Sequence, residues 1–147
     1  MFSKLFRKKL NKENYELIES FHSHRWVEGV YAAYPIEGKD KDIPLYIGES
    51  DDIGRRCWKD HQKPSQHLLE DVVLGYRKGG MWVTNDQFQE YRKKAIKARE
   101  NIEFRLLAVE NGGKWKREGI EGYFIKELNP KFSFRTLLRP CLPFYRV

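Results

Sequence analysis

The alternation of apolar and polar positions divides the chain into two strand-like runs, a series of helical runs with one further strand among them, and a basic start. Residues 26–34 and 44–48 are rich in aromatic and β-branched side chains, and the polar stretch Pro35 to Asp42 between them predicts a hairpin with a long loop. Ser50, Asp51 and Asp52 offer N-cap and first-turn acids for a helix over about 52–61. Pro64 and Ser65 restart a helix whose apolar positions Leu68, Leu69, Val72, Val73 and Tyr76 follow the i, i+3, i+4 rhythm, with Gly79 and Gly80 closing the segment. Thr84 or Asn85 caps a further helix with Phe88, Tyr91, Ala95 and Ala98 on one face and Arg92, Lys93, Lys94 and Lys97 largely outward. Ile102, Phe104, Leu106 and Ala108 alternate along a third strand. After Asn111-Gly112-Gly113, a helix runs from roughly Lys114 to Leu128 and ends before Pro130. Gly119 and Gly122 weaken it by about 1 kcal/mol each, which predicts close packing there as compensation. The first twelve residues carry Lys4, Arg7, Lys8, Lys9 and Lys12 with apolar residues at helical spacing, a basic helix with either a solvated or an anion-facing side.

At 147 residues this is the length of one domain, residues 1–147, with a single core. A formal net charge of +7 favours an anionic partner, most commonly a polyphosphate. Cys57 and Cys141 lack metal-site spacing and suit a reducing compartment. With no apolar run of bilayer length and no signal-peptide core, the expectation is a soluble, intracellular, cytoplasmic protein that does not engage a membrane. His22 and His24, with no supporting pattern, read as surface residues.

Chemistry enters with two short motifs, Gly29-Val30-Tyr31 and Tyr46-Ile47-Gly48. They are followed by Ser50, Arg56, His61 and, much later, Glu121 in Glu121-Gly122-Tyr123-Phe124-Ile125-Lys126-Glu127-Leu128-Asn129-Pro130. In that order and at those spacings, residues of about 27–133 resemble the GIY-YIG nuclease family, whose members hydrolyse a phosphodiester bond in DNA with one divalent metal. The resemblance implies an α/β (α+β) fold with a small three-stranded sheet flanked by helices. Residues of about 77–100 then form a helical insertion, and both ends are basic extensions.

The resemblance implies roles residue by residue. Glu121 is the metal ligand, for Mg2+ or Mn2+, whose other positions are filled by water and substrate oxygens. Arg56 answers the charge that develops on phosphate, for which a planar, permanently charged fork is suited. Arg55, turned about 100° away, reads as a solvent or backbone contact. Tyr31 is the base or water-positioning group, and Tyr46 positions the phosphate or the base. His61 competes with Tyr31 for the proton, since an imidazole titrates near neutrality, and His67 is a possible accessory. Ser133 stands where many members carry an asparagine, and a hydroxyl replaces only part of an amide's hydrogen bonding. Arg92, Lys93, Lys94 and Lys97 are candidate DNA contacts. The sequence leaves open the DNA target, the oligomeric state and a second reading, a DNA-binding module that keeps the fold without cleavage.

Overall fold

The computed structural model describes residues 11–79 and 82–132. The predicted basic helix up to Leu10, Ser133 and the basic C-terminal extension lie outside these residues. The protein is mixed α+β. Strands β1 (Glu16–Leu17), β2 (Gly29–Pro35), β3 (Tyr46–Ser50) and β4 (Ile102–Val109) form one antiparallel sheet in the order β1-β4-β2-β3. The expected sheet of three strands therefore has a fourth. Glu16 and Leu17 pair with Leu106 and Arg105, covering the β4 edge, and among the described residues β3 is the other outer strand.

Among the described residues, four helices cover the two faces, besides a 3-10 turn at Lys12–Asn14. Helix α1 opens as an α-helical turn, Ile53–Arg55, and continues as a π-helical stretch, Arg56–Asp60; α2 is His67–Leu74, α3 Asn85–Arg99 and α4 Lys114–Leu128. Caps account for the starts. The Asp52 carboxylate accepts from the Arg55 amide at 3.2 Å, and the Thr84 hydroxyl from the Gln87 amide at 3.2 Å. Helix α2 stops at Gly75, in the left-handed conformation at φ 83°, several residues before the expected Gly79–Gly80. Tyr76, expected on its apolar face, is consequently exposed.

Strand alternation sorts the core into two layers. Tyr31, Ala33, Tyr46, Ile102 and Phe104 face helices α1 to α3, packing with Ile53, Cys57, Leu68, Leu69, Tyr91 and Ala95. Val30, Ala32, Tyr34, Ile47 and Leu107 face α4, packing with Ile125 and Leu128. Leu107 reaches that layer through an irregularity in the ladder, where Val30 pairs with Ala108 but Tyr31 with Leu106. Beside it, Gly29 is obligatory because a Cβ would strike the Ala108 carbonyl. The expected close packing at Gly119 is not found: nothing lies within 4 Å of the Cβ position there. Helix α4 is held instead by the burial of Ile125 and Leu128, about 1.5–3 kcal/mol each, which outweighs the glycine cost.

Two further expectations are corrected. Lys12, read as part of a basic helix, is buried; its ammonium donates to the Pro35 and Ile36 carbonyls at 2.6 and 2.8 Å and pairs with Glu103 at 2.5 Å. Burying that charge is tolerated because every donor finds an acceptor. His24, read as a surface residue, is buried with Nε2 2.7 Å from Glu16.

Candidate active site

The candidate site forms where β2, the outer strand β3 and helix α1 meet. Tyr31 and Gly48 are directly opposite each other in the β2–β3 ladder. The missing side chain of Gly48 makes room for the Tyr31 phenol, since a Cβ there would lie 2.6 Å from the Tyr31 hydroxyl and 2.8 Å from Cζ. The hydroxyl lies 2.5 Å from His61 Nε2, a hydrogen bond between groups 30 residues apart. His61 also stacks on Phe104, with ring centroids 5.9 Å apart and planes at 13°. Tyr46 and His67 complete the cluster: the Tyr46 ring is 5.4 Å from His61 and 5.1 Å from His67, and the two imidazoles are 5.6 Å apart.

The π-helical stretch explains how Arg56 and His61 share this site. In an α-helix, residues five apart point about 140° away from each other. A π turn closes i→i+5, and the His61 amide donates to the Arg56 carbonyl at 3.0 Å, so both residues fall on one side. Arg56 pairs with Asp60 at 3.2 Å. Arg55, as expected, is exposed outside the cluster, 3.9 Å from Asp60.

Glu121 arrives from the other layer, on α4. Four residues earlier and on the same helix face, Arg117 is buried and bonds Glu49 of β3 at 2.8 Å and Glu28 at 3.3 Å, anchoring α4 at the outer strand. From there the Glu121 charge acts on both Tyr31 and Tyr46. Arg117 and Glu49 went unnoticed in the sequence, although i, i+4 spacing from Glu121 pointed to Arg117. Arg77, whose charge bears on His67 and Tyr46, carried no sequence signal.

Burial sets the protonation states. It pushes Tyr31 well above the usual phenol value, with the Tyr46 and Cys57 charges adding to it. Burial, then Glu121, pushes Tyr46 up to about 12. His61 is held well below its ordinary value by burial and by the His67 and Arg56 charges, and His67 falls to about 4 through burial and the Arg77 and Arg56 charges. The cluster at neutral pH is therefore two neutral phenols and two neutral imidazoles beside a permanent guanidinium. Among the described residues, His61 Nδ1 and His67 Nε2 have no hydrogen-bond partner.

Two concavities, about 490 Å³ beside Trp115 and about 520 Å³ beside Asn129, lie away from the cluster, which sits against the outer strand β3 of the described sheet. Among the described residues no three His, Cys, Asp or Glu side chains are grouped to hold a metal, and no helix is long and apolar enough to cross a membrane. The structure thus brings Tyr31, Tyr46, Arg56, His61 and His67 together with Glu121 within electrostatic reach. It leaves Arg92, Lys93, Lys94 and Lys97 exposed on α3, apart from the cluster. No family model, curated protein or solved structure matches the chain.

Proposed function

We propose that this chain is a metal-dependent DNA endonuclease of the GIY-YIG type, hydrolysing a phosphodiester at the β3 edge. The observation that carries the reading is the convergence of Tyr31, Tyr46, Arg56 and His61 from separate elements, joined by the Tyr31–His61 hydrogen bond. A core needs none of that polarity: a buried imidazole nitrogen without a partner costs about 1–3 kcal/mol, which a phenylalanine in its place avoids.

The chemistry follows from the protonation states. A neutral phenol is a weak base, but Tyr31 can take a proton from the attacking water as it passes its own to Nε2 of the neutral His61, 2.5 Å away. Arg56 supplies the planar cation for charge gathering on the phosphate, and Tyr46 orients the group it holds. Glu121 fits a single magnesium or manganese ion, because magnesium commonly rests on one or two carboxylates and fills its remaining positions with water and phosphate oxygens. Bound there, the ion would supply Lewis-acid stabilisation of the phosphoryl and leaving oxygens.

The test is incubation of supercoiled, linear, branched and single-stranded DNA with magnesium, manganese or chelator. Metal-dependent nicking is expected from the native chain. Glu121→Gln is expected to abolish it while leaving the fold and DNA binding nearly intact, and Arg56→Lys is expected to fail for loss of the fork. Binding without turnover in any metal would favour the non-cleaving DNA-binding module. Nicking by Glu121→Gln at the native rate would remove Glu121 from the mechanism.

A further inference from the structure

One turn before Arg56, at the start of α1, the surface carries an assembly that the proposed reaction does not use. Trp26 has the left-handed backbone conformation, φ 66°, which bulky side chains rarely adopt and which costs of order 1–3 kcal/mol. The strained residue nonetheless presents its indole outward, 70% exposed. The Asp52 carboxylate fixes the conformation by accepting the Trp26 amide proton at 2.9 Å and the Arg25 guanidinium. Arg25 in turn lies over the Trp26 ring, 3.9 Å from its centroid, and over Phe21 at 4.7 Å; the Lys59 ammonium lies 4.5 Å from the Phe21 centroid. The Asp52 carbonyl accepts the Arg56 amide at 3.0 Å, so a single residue links this assembly to the arginine of the candidate site.

We infer that Trp26, backed by Arg25, is a stacking platform for an unpaired base of the DNA strand held by Arg56, and that the protein thereby prefers DNA in which a paired region gives way to a single strand. This rests on the nuclease reading above. The chemistry that selects this occupant is on the surface. An indole with a guanidinium on one face offers its remaining surface to another flat, polarisable ring, and nucleobases in a duplex are already stacked on each other. Exposed Arg55 and Lys59 on α1, Lys59 over the same Phe21 ring that carries Arg25, supply cations for the phosphates of that strand. A protein surface would bury the indole equally well, and it is the exposed cations of α1 that favour a polyanion. Exposure alone is ordinary for a tryptophan; exposure maintained at the cost of a strained backbone, locked by a buried carboxylate, is not.

The test uses the full chain carrying Glu121→Gln, so that binding is read without cleavage. Fluorescent probes are a fully paired duplex, the same duplex with a single-stranded flap, and the flap duplex with abasic sites in its first unpaired positions. Trp26→Ala is expected to weaken the flap duplex about tenfold or more, to change the paired duplex less than twofold, and to have no further effect on the abasic flap. Trp26→Phe, which keeps a ring, is expected to restore much of the loss, and the melting temperature of each variant reports that the fold is kept. Equal loss on all three probes, or no loss on the flap, overturns the platform while leaving the nuclease reading to its Glu121 and Arg56 variants. Failure of the native chain to bind any of the three overturns both.

Discussion

Tyr31 and Tyr34 lie three residues apart on β2, both completely buried, on opposite faces of the same sheet. Burial raises both phenols above their ordinary value. Beyond that they diverge. Tyr31 meets His61 at 2.5 Å and lies in the fields of Arg56 and Glu121, whereas the Tyr34 hydroxyl, in the fields of Tyr15, Asp42 and Arg105, has no hydrogen-bond partner among the described residues. The strand supplies two similar side chains, and the chemistry comes from what the helices bring to each face. On one face α1 and α2 deliver imidazoles and a guanidinium; on the other α4 delivers Ile125 and Leu128.

The sharpest way to break this comparison is to remove the same oxygen from each face. Tyr31→Phe is expected to lower the single-turnover cleavage rate by about 100-fold or more, as loss of an acid-base group does. Tyr34→Phe is expected to leave the rate unchanged and to keep or slightly raise the melting temperature, since it deletes a buried hydroxyl without a partner. A silent Tyr31→Phe beside a severe His61→Ala would assign the proton to histidine and reduce the phenol to a support.

Two glycines make the second contrast. Gly48→Ala is expected to push the Tyr31 ring off His61, costing about 1–3 kcal/mol of stability and most of the activity, because the ring is packed on every side. Gly119→Ala, in open space on α4, is expected to stabilise the protein by up to about 1 kcal/mol with no effect on cleavage. Thermal melts and initial rates of the two variants decide it.

The neutral histidines give a pH signature confined to the α1–α2 face. The unfolded chain takes up protons near pH 6.5 that His61 and His67 refuse when folded, His67 down to about 4. Stability from this source is therefore complete above about pH 6.5 and declines as pH falls, by up to about 1.4 kcal/mol per pH unit per histidine. His67→Gln is expected to flatten the fall in melting temperature between pH 6.5 and 4; an unaltered slope would mean that His67 is not held neutral.

The extent to which this architecture was legible varies along the chain. Helix α4 and strand β4 have their expected limits because Asn111-Gly112-Gly113 and Pro130 punctuate a strong pattern. Strand β1 was invisible, since two residues carry no periodicity and their pairing depends on β4, far off in sequence. Lys12 and His24 were misplaced for a similar reason. Composition puts such residues outside, and only the partner that folding supplies, Glu103 for one and Glu16 for the other, makes burial tolerable. The motif tyrosines, Arg56 and His61 were singled out by a family resemblance, and the structure brings them together. The π-helical stretch that brings Arg56 and His61 to one side was not legible, because it consists of a one-residue slip in backbone hydrogen bonding that no residue type announces.

The smallest expected effect lies farthest from the contrast of the two faces. Replacing Arg92, Lys93, Lys94 and Lys97 on α3 with glutamine is expected to weaken DNA binding and flatten its log-log salt dependence by more than one unit, each lost phosphate contact counting about 0.9, with cleavage at saturating DNA preserved. An unchanged slope would show this face to be only solvated.

The π-helical stretch also has a consequence for how the gene can vary. Arg56 and His61 are phased by the number of residues between them as well as by their identity. Substitutions at solvent-facing Lys59 leave that count intact. Relaxing the segment to an ordinary α-helix at unchanged length would swing the imidazole to about 140° from Arg56, whereas deleting a single codon between them would leave the pair four residues apart, about 40° from each other and still on one side. The π turn is therefore one extra residue spliced into a helix, its letters restricted at buried Cys57 and at Trp58, whose indole donates to the Ile18 carbonyl, and loss of that one residue is the change of length that keeps Arg56 and His61 in phase.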